Sequence, residues 1–238
     1  MIDAAILLAA GEGSRLRAVE PLKPLCRVGG KPLIDHALEG LAAVGLSRAI
    51  VVLGYGAETI AAHLAARRWP LAVEWTEVAD WRAPNGVSAL AGAARADGPA
   101  LLAMCDHLVD PALYGRLARA GAGNGLRLGV DRRLDDDGVD LDDVTRVATQ
   151  GERITAIGKG LATYDAFDTG VFAVDAPFFD ALRAIERPSV SAGVAALAAR
   201  GLAGALDCSD LHWIDVDDAA ALDQAERWFA SLSQHVAV

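Results

Sequence analysis

Residues 7–17 read LLAAGEGSRLR, and the tripeptide KPL follows at residues 23–25. The apolar run at residues 4–9 is too short for a helix and leads into a glycine-rich turn, which together predict a buried β-strand. Gly11 and Gly13 lack a Cβ atom, so the backbone there can turn sharply and approach a ligand closely. Successive backbone N–H groups in such a turn form an anion-binding concavity. The pattern therefore predicts a strand that ends in an anion-binding loop.

Two basic residues follow this turn at positions suited to a polyphosphate. Arg15 carries a planar fork of N–H donors that matches phosphate oxygens, and Lys23 adds a point charge on a flexible stem. Together with the backbone of residues 11–14, these side chains predict a polyphosphate site. The structural alternative is a tight strand-to-loop turn with solvated basic side chains, because a Gly-x-Gly pattern alone is not specific.

The same residues exclude two common nucleotide-binding motifs. The G-x-x-x-x-G-K-[ST] loop is absent, because Gly11 and Gly13 are too close together and no Lys-Ser or Lys-Thr pair follows. The dinucleotide motif G-x-G-x-x-G needs a third small residue where this chain has Leu16. It also needs an acidic residue after the second strand, and none follows residues 49–53 until Glu58. The loop therefore belongs to neither class.

Composition limits the kind of partner that the chain can bind. Its 238 residues are 53% hydrophobic and 5% aromatic, so they can bury a core packed mainly by Ala, Leu and Val. The formal net charge of −10 argues against nucleic acid as a partner, since binding to a phosphate backbone needs clustered Lys and Arg. A site for a polyanionic substrate must therefore be locally basic or assisted by a metal ion.

Cysteine usage and hydropathy predict a cytoplasmic protein. Cys26, Cys105 and Cys208 are far apart, odd in number and without a C-x-x-C pair, which indicates reduced thiols and argues against a zinc site. The start Met-Ile-Asp lacks the basic region and cleavage site of a signal peptide. No uninterrupted apolar run approaches the ~18 residues needed to cross a bilayer. We therefore expect no membrane span.

Strands and helices alternate along most of the chain. Apolar runs predict strands at residues 4–9, 49–53, 71–75, 100–104, 126–130, 167–174, 203–208 and 212–216. Helical spacing of apolar residues predicts helices at residues 32–46, 57–68, 85–96, 110–120, 177–185, 191–200 and from residue 217 or 218 to 231. This alternation predicts an α/β fold, a Rossmann-like three-layer α/β/α architecture with a mostly parallel sheet. One domain over residues 1–238 is the simplest organisation, with residues 131–170 as a small inserted β region that binds an acceptor.

Acidic residues follow two of the predicted strands. Asp106 comes after the strand at 100–104 and so stands at the carboxyl edge of the sheet, where open α/β folds bind ligands. We predict that Asp106 binds Mg²⁺ together with Asp215 or Asp217, since Mg²⁺ prefers oxygen ligands. The alternative for Asp217 is an ordinary helix N-cap. His107 is expected in a supporting or structural role, because imidazole is a poor ligand for Mg²⁺.

Four further segments have less specific patterns. Residues 85–88, NGVS, open a helix and provide either an N-cap or contacts to a nucleotide. Residues 135–143 contain six aspartates without the ligand spacing of a calcium loop, so we expect a solvated acidic loop. Residues 145–157 are predicted to form a hairpin. Lys159, between two glycines, is either an exposed turn lysine or a charge placed against an acceptor phosphate.

The order of these motifs resembles the signature of the nucleotidyltransferases, which join a nucleoside triphosphate to a phosphorylated acceptor and release pyrophosphate. The matching elements are GEGSRL at residues 11–16, KPL at 23–25 and GGKPL at 29–33. Over nearly the whole chain, the sequence also resembles the CTP:inositol-1-phosphate cytidylyltransferases, through NGVS at 85–88, MCDH at 104–107, IGKGLATYDAFDTGVF at 157–172 and WIDVDD at 213–218. The phosphonate cytidylyltransferases share much of this pattern.

The resemblance implies a role for each matching residue. The nucleotide would be bound by Leu8, Ala9, Ala10, Gly11, Asn85, Gly86 and Ser88, with the backbone of Gly13 and Ser14 under its phosphates. The acceptor would be bound by Lys159, Asp168, Thr169 and Gly170. Arg15 and Lys23 would act on the phosphates during catalysis, and Mg²⁺ would be held by Asp106 with Asp215 or Asp217. The sequence departs from the family in having Asp218 where threonine is usual. The inositol enzymes are often fused to a membrane phosphatidyltransferase, which we do not expect here.

The expected function is transfer of a cytidylyl group from CTP to inositol-1-phosphate, which gives CDP-inositol and pyrophosphate by Mg²⁺-assisted in-line attack. The alternatives are a phosphonate cytidylyltransferase, a sugar-1-phosphate uridylyl-, guanylyl- or thymidylyltransferase, and a non-catalytic nucleotide-binding regulator. A regulator would be expected to lack Lys23 or an aspartate ligand, whereas this chain has all of them. Spacing alone leaves the base, the acceptor and the oligomeric state open, with a homodimer among the options.

Overall fold

The computed structural model describes residues 1–17, 19–135 and 139–235. Within them the strands are β1 (Ala4–Ala9), β2 (Arg27–Val28), β3 (Lys31–Pro32), β4 (Arg48–Leu53), β5 (Ala72–Glu77), β6 (Ala100–Met104), β7 (His107–Val109), β8 (Leu126–Asp131), β9 (Arg146–Gln150), β10 (Arg153–Gly158), β11 (Ala166–Val174), β12 (Ala203–Asp207) and β13 (Trp213–Asp215). The helices are α1 (Leu33–Ala43), α2 (Ala57–Ala65), α3 (Asn85–Ala93), α4 (Pro111–Ala120), α5 (Ala176–Arg183), α6 (Val190–Ala198) and α7 (Ala219–His235). The predicted strands and helices are confirmed, with boundaries that differ by a few residues.

A nine-stranded sheet forms the centre of the fold, in the order β5-β4-β1-β6-β11-β8-β12-β10-β9. Strands β5, β4, β1 and β6 are parallel, as the alternation of strands and helices predicts. Beyond β6, strand β11 runs antiparallel to both β6 and β8, whereas β12 is parallel to β8. The sheet is therefore mixed, and the prediction of a mostly parallel sheet holds for the four strands that precede the site.

Helices cover both faces of this sheet. Along β1, Ala5, Leu7 and Ala9 belong to one apolar cluster with α1, α2 and α4, whereas Ile6 and Leu8 belong to a second cluster with α3, α5 and α6. Because both faces of β1 are buried, the strand is apolar throughout instead of alternating. The three-layer α/β/α architecture is confirmed.

The C-terminal helix α7 packs beside the glycine-rich loop. A third apolar cluster joins Leu16 of that loop, Leu108 of β7 and Ala225 of α7. The backbone N–H of Gly29, in the turn between β2 and β3, donates to both carboxylate oxygens of Glu226 at 3.0 and 3.1 Å. These contacts hold α7 against the glycine-rich loop, β7 and the β2–β3 turn.

A two-stranded ribbon connects the middle of the chain to its C-terminal part. Strand β7 pairs antiparallel with β13, so that His107 lies opposite Asp215. The N–H of Val216 then donates to the carbonyl oxygen of Asp106 at 3.0 Å. The three residues of β7 are too few to show a periodicity, and the sequence does not predict this strand. The ribbon brings Asp106 next to residues 215–217.

The inserted β region at 131–170 is continuous with the central sheet. The predicted hairpin is confirmed as β9 and β10, and β9 also pairs with β11. Of the acidic stretch at 135–143, residues 136–138 lie outside the described residues. The organisation of residues 1–238 as one domain stays a prediction. None of the described helices is both long and apolar enough to cross a bilayer.

Candidate active site

The glycine-rich loop follows β1, and its conformation depends on Gly13. This residue has φ of +60°, in the left-handed region that favours glycine. A Cβ atom here would lie 2.5 Å from Cβ of Lys23, so the loop backbone packs directly on the lysine. The next residues, Ser14–Leu16, form a short 3-10 turn in which Leu16 is buried and Arg15 is exposed. Glycine is therefore required at position 13 by both its backbone angle and its packing.

Lys23 lies buried beneath this loop and is shared by three carboxylates. Its side chain is only 6% exposed. Its ammonium nitrogen Nζ is 2.6 Å from Oδ2 of Asp106, forms an ion pair with Asp217, and is 3.6 Å from Oδ1 of Asp215. Burial opposes the charge, but the carboxylates outweigh it and raise the pKa of Lys23 above its ordinary value. The lysine is therefore a fixed positive charge at neutral pH.

Asp106 is held in its ionised form by the same contact. Burial alone would raise the pKa of this carboxyl group, but the neighbouring Lys23 and His107 lower it to about 2. Asp106 thus presents a full negative charge at the carboxyl end of β6, at the edge of the sheet where the sequence predicts a metal ligand.

The carboxylates around Lys23 suit a hard divalent cation. Ligand atoms of Asp106, His107 and Asp215 lie within 4.8 Å of one another, as do those of Asp143, Asp215 and Asp217. Among the described residues, Oδ1 of Asp215 is buried and accepts no hydrogen bond. A buried carboxylate oxygen that accepts no hydrogen bond, and has only the 3.6 Å contact with the Lys23 ammonium, lies beside two further carboxylates and fits Mg²⁺, which takes oxygen ligands. The predicted Mg²⁺ ligands are thus brought together, although their ligation stays a prediction.

A polar corner made by β7 and β11 lies beside this cluster. Asp168 accepts a hydrogen bond from the N–H of Gly170 at 2.7 Å, and Nε2 of His107 is 3.3 Å from Oδ2 of Asp215. Gly170 has φ of +77°, and a Cβ atom here would overlap the imidazole of His107. Burial raises the pKa of Asp168 to about 6, although the Gly170 N–H and His107 oppose the shift. Such a shift in a cleft is typical of a functional group.

We expect the Asp168→Asn variant to be more stable than the wild type at pH 8. The raised pKa of Asp168 means that ionisation costs the folded state free energy, at about 1.4 kcal/mol per pKa unit. The cost is absent below pH ~4, grows between pH ~4 and ~6, and is complete above that window. The expected gain at pH 8 is about 1–3 kcal/mol. Urea unfolding at pH 4, 6 and 8 measures it, and an equal gain at all three values would contradict the assignment.

A cleft of about 600 Å³ connects these groups, a volume typical of small-molecule sites. Of the residues predicted from the sequence, those that line it are Arg15, Asn85, Asp106, Lys159, Asp168, Gly170, Asp215 and Asp217. Residues from the two ends and the middle of the chain thus meet in one site. Lys23 does not line the cleft itself, but it contacts Asp106 and Asp217, which do.

The other predicted residues lie around the cleft without lining it. Leu8, Ala9 and Ala10 are buried where β1 ends, Ser88 is buried within α3, and Gly11 and Ser14 are exposed on the loop. Thr169 is buried and donates to the carbonyl oxygen of Gly129 at 2.8 Å. The N–H of Gly86 donates to the carbonyl oxygen of Pro188 at 3.0 Å. For Thr169 and Gly86 the structure therefore shows packing roles, and their substrate contacts stay predictions.

Asp143 is a residue of the site that the sequence does not reveal. Residues 140–142 are exposed, as expected for a solvated acidic loop, but Asp143 is half-buried in the cleft and forms ion pairs with Arg15 and Lys159. The expectation of a solvated loop is therefore wrong at this position. In a run of six aspartates no local signal distinguishes the one that contacts distant cations.

Comparison with known proteins identifies a sequence family and several relatives of this chain. The chain matches the sequence family of the MobA-like NTP transferase domain over residues 5–130. It is 35% identical to the bifunctional IPC transferase and DIPP synthase of Rubrobacter xylanophilus, over 98% of this chain and 55% of that protein. It is 29% identical to the protein of the same name from Aquifex aeolicus, over 96% of this chain and 52% of that protein. The chain thus spans about half the length of these curated relatives.

Solved structures with the same fold include the inositol-1-phosphate CTP transferase from T. maritima. Its TM-score is 0.84 at 23% sequence identity, and the match covers 92% of this chain and 91% of the T. maritima chain. A UDP-glucose pyrophosphorylase has a TM-score of 0.79 at 15% identity, over 97% of this chain and 99% of that chain. At these identities the likeness concerns the fold, which is that of the nucleotidyltransferases. The family match spans residues 5–130, a segment that contains β1, the glycine-rich loop, Lys23 and Asp106. Because more than half of its length is matched, the chain belongs to the MobA-like NTP transferase domain family.

Proposed function

We propose that this protein transfers a cytidylyl group from CTP to inositol-1-phosphate. The observation that carries the proposal is the buried Lys23, shared by Asp106 and Asp217 directly beneath the glycine-rich loop. A fixed positive charge and a glycine-rich loop thus lie beside a cleft that is lined by carboxylates suited to Mg²⁺. An enzyme that joins two phosphorylated molecules needs all three, because its substrates are anions that repel each other.

The choice of CTP and inositol-1-phosphate is supported by the relatives. The Rubrobacter protein is named an IPC transferase, and the solved T. maritima protein is described as an inositol-1-phosphate CTP transferase. Both matches extend past residue 130, where the family match ends, and so include the side of the cleft formed by Lys159, Asp168 and Gly170. That side of the cleft is where we expect the acceptor to bind.

The reaction is an in-line displacement at the α-phosphorus of CTP. An oxygen of the acceptor phosphate forms a bond to this phosphorus, and the bond to the oxygen that bridges to the β-phosphate breaks. The electron pair of that bond leaves with pyrophosphate, and the other product is CDP-inositol. No covalent intermediate with the protein is required, so the protein contributes alignment and charge stabilisation.

Each charged residue has a distinct part in this scheme. The backbone N–H groups of the glycine-rich loop and the Arg15 guanidinium bind the triphosphate, and Lys23 stabilises the negative charge that develops at the α-phosphate. Lys159, which shares the Asp143 carboxylate with Arg15, binds the acceptor phosphate. Asp106, with Asp215 or Asp217, would hold Mg²⁺, which would neutralise charge on the phosphate oxygens when bound. The raised pKa of Asp168 and its place beside His107 suit a hydrogen bond to an acceptor hydroxyl group.

Pyrophosphate release in the presence of Mg²⁺ tests this function. CTP, UTP, GTP, ATP and dTTP would each be combined with inositol-1-phosphate, glucose-1-phosphate and 2-aminoethylphosphonate. We expect turnover with CTP and inositol-1-phosphate only, and a mass spectrum of CDP-inositol.

The other outcomes of this assay each replace part of the proposal. Turnover of CTP with the phosphonate would retain cytidylyl transfer and change the acceptor. Turnover of UTP, GTP or dTTP with glucose-1-phosphate would identify a sugar nucleotidyltransferase, the function named for one of the solved structures with this fold. No turnover with any pair would contradict the proposal.

A further inference from the structure

Asp143 joins two separate segments that line the cleft through its two carboxylate oxygens. Oδ2 accepts from Arg15, which belongs to the glycine-rich loop after β1, and Oδ1 accepts from Lys159, which follows β10. One carboxylate thus binds two cations from segments that are far apart in the sequence. In the proposed function these cations bind the phosphates of two different substrates.

A structured turn holds Asp143 in this position. The N–H groups of Asp143 and Val144 both donate to the carbonyl oxygen of Asp140, at 3.2 and 2.8 Å. Arg146 donates to the carbonyl oxygen of Leu141 at 2.9 Å, and Val144 packs against the apolar cluster that contains Leu7 of β1. The location of Asp143 is therefore a property of the fold and not of a freely solvated side chain.

The environment of Asp143 is that of a bound anion. Hydrogen bonds from Lys159 and Arg15 lower the pKa of its carboxyl group below the usual range. Two oxygens that accept from two separate cations reproduce part of the contact pattern of a phosphate group. A substrate phosphate that approaches either cation would be repelled by Asp143 and would compete with it for the same donors. At Arg15 the phosphate would also compete with Asp217, which forms a second ion pair with that guanidinium.

We propose that Asp143 is a positioning residue that takes the place of a substrate phosphate between Arg15 and Lys159 and gives way when phosphate binds. The inference rests on the proposed function, since it takes both cations to be phosphate ligands. In the substrate-free protein the carboxylate keeps the two cations directed at one point, where the reacting phosphates are to meet. Phosphate binding then exchanges two internal ion pairs for two intermolecular ones.

Binding of pyrophosphate, measured by calorimetry at constant ionic strength without metal, tests this exchange. The Asp143→Asn variant no longer offers a charged competitor, so we expect its Kd to be lower than that of the wild type. Partly exposed ion pairs are individually weak, and two of them predict binding that is about five-fold tighter. Asp143→Ser serves as a second variant, and thermal unfolding establishes that each variant folds.

Two matched controls separate this effect from a change in overall charge. Asp142→Asn removes the same charge from the adjacent residue, whose carboxylate forms no ion pair within the described part of the chain, and should leave the Kd unchanged. In a Lys159→Met background, Asp143→Asn should tighten binding by a smaller factor, since only the Arg15 pair remains to be lost.

Three results would overturn the inference. The first is unchanged or weaker pyrophosphate binding by both Asp143 variants, and the second is an equal gain in pyrophosphate affinity in Asp142→Asn. The third is a higher Mg²⁺ requirement of the Asp143 variants without tighter pyrophosphate binding, which would make Asp143 a metal ligand instead. Turnover of CTP and inositol-1-phosphate by the wild type decides the proposed function separately. An active wild type whose Asp143 variants bind no more tightly would refute this inference alone.

Discussion

Replacement of Lys23 by methionine is expected to lower kcat by about 10²–10³-fold, the usual effect of removing one preorganised donor to a developing negative charge. Methionine has a similar length and no charge, so it fills the buried space beneath Gly13 without stabilising the α-phosphate. KM for CTP should change less than kcat, because the ammonium group acts mainly on charge that develops in the transition state. Steady-state pyrophosphate release at saturating Mg²⁺ provides both constants.

The same substitution should also change the stability of the metal-free protein. The low pKa of Asp106 shows that its ionised form is favoured in the folded state, so Lys23 contributes stability above pH ~4 that is lost as the pH falls towards 2. After allowance for the partial exposure of Asp106, we expect Lys23→Met to lower the free energy of unfolding at pH 7 by on the order of 1–2 kcal/mol. Mg²⁺ should restore part of this loss, because it offers the three carboxylates another cation.

Lys31→Met is the matched control for this experiment. Lys31 is partly exposed on β3 and pairs with Glu39, outside the cleft. This variant should keep wild-type kcat and show no enhanced stabilisation by Mg²⁺. If Lys23→Met retained turnover within a few-fold of the wild type, Lys23 would have no part in the chemical step.

The Asp106→Asn variant is expected to lose about 100-fold or more in activity and to require more Mg²⁺ for its remaining turnover. Substitution of groups that merely orient metal ligands costs 10–100-fold, and Asp106 is predicted to be a ligand itself. Asparagine keeps one oxygen but removes the negative charge that pairs with Lys23 at 2.6 Å. Mn²⁺ binding followed by electron paramagnetic resonance measures the metal site without reference to turnover.

Asp110→Asn provides the control for Asp106. Asp110 is the N-cap of α4 and accepts from the N–H of Ala112, a role that asparagine can also fill. The control should bind Mn²⁺ and turn over substrate like the wild type. Unchanged Mn²⁺ affinity in Asp106→Asn would place the metal elsewhere in the cleft.

The fold was predictable to the extent that it depends on local patterns. The apolar run of β1, the glycine-rich turn and the alternation of strands with helices predict the parallel strands and the three layers correctly. The second half of the sheet was not predictable in the same way, because an apolar strand such as β11 has the same pattern whether its neighbours are parallel or antiparallel. The three-residue strand β7 was missed for lack of any periodicity.

Parts of the candidate site were predictable from chain direction alone. Asp106 follows a strand of the parallel set, and such residues stand at the carboxyl edge where ligands bind. Arg15 and Lys23 follow the glycine-rich turn, and this local order indicates phosphate chemistry, whereas spacing left the role of Lys159 open. The choice between Asp215 and Asp217 could not be made from spacing, and the structure gives the closer contact with Lys23 to Asp217.

The sequence by itself determined the loop, the strand that carries it and the chemical types that the site requires, because backbone conformation and hydrophobic periodicity are local properties. Only the tertiary structure decided which charges meet. Lys23 and Asp217 are 194 positions apart, and Arg15 and Asp143 are 128 apart. The β7–β13 ribbon and the packing of α7 bring the first pair together, and the turn at residues 140–144 brings the second. Such contacts depend on how separate elements pack, which no local pattern of residues records.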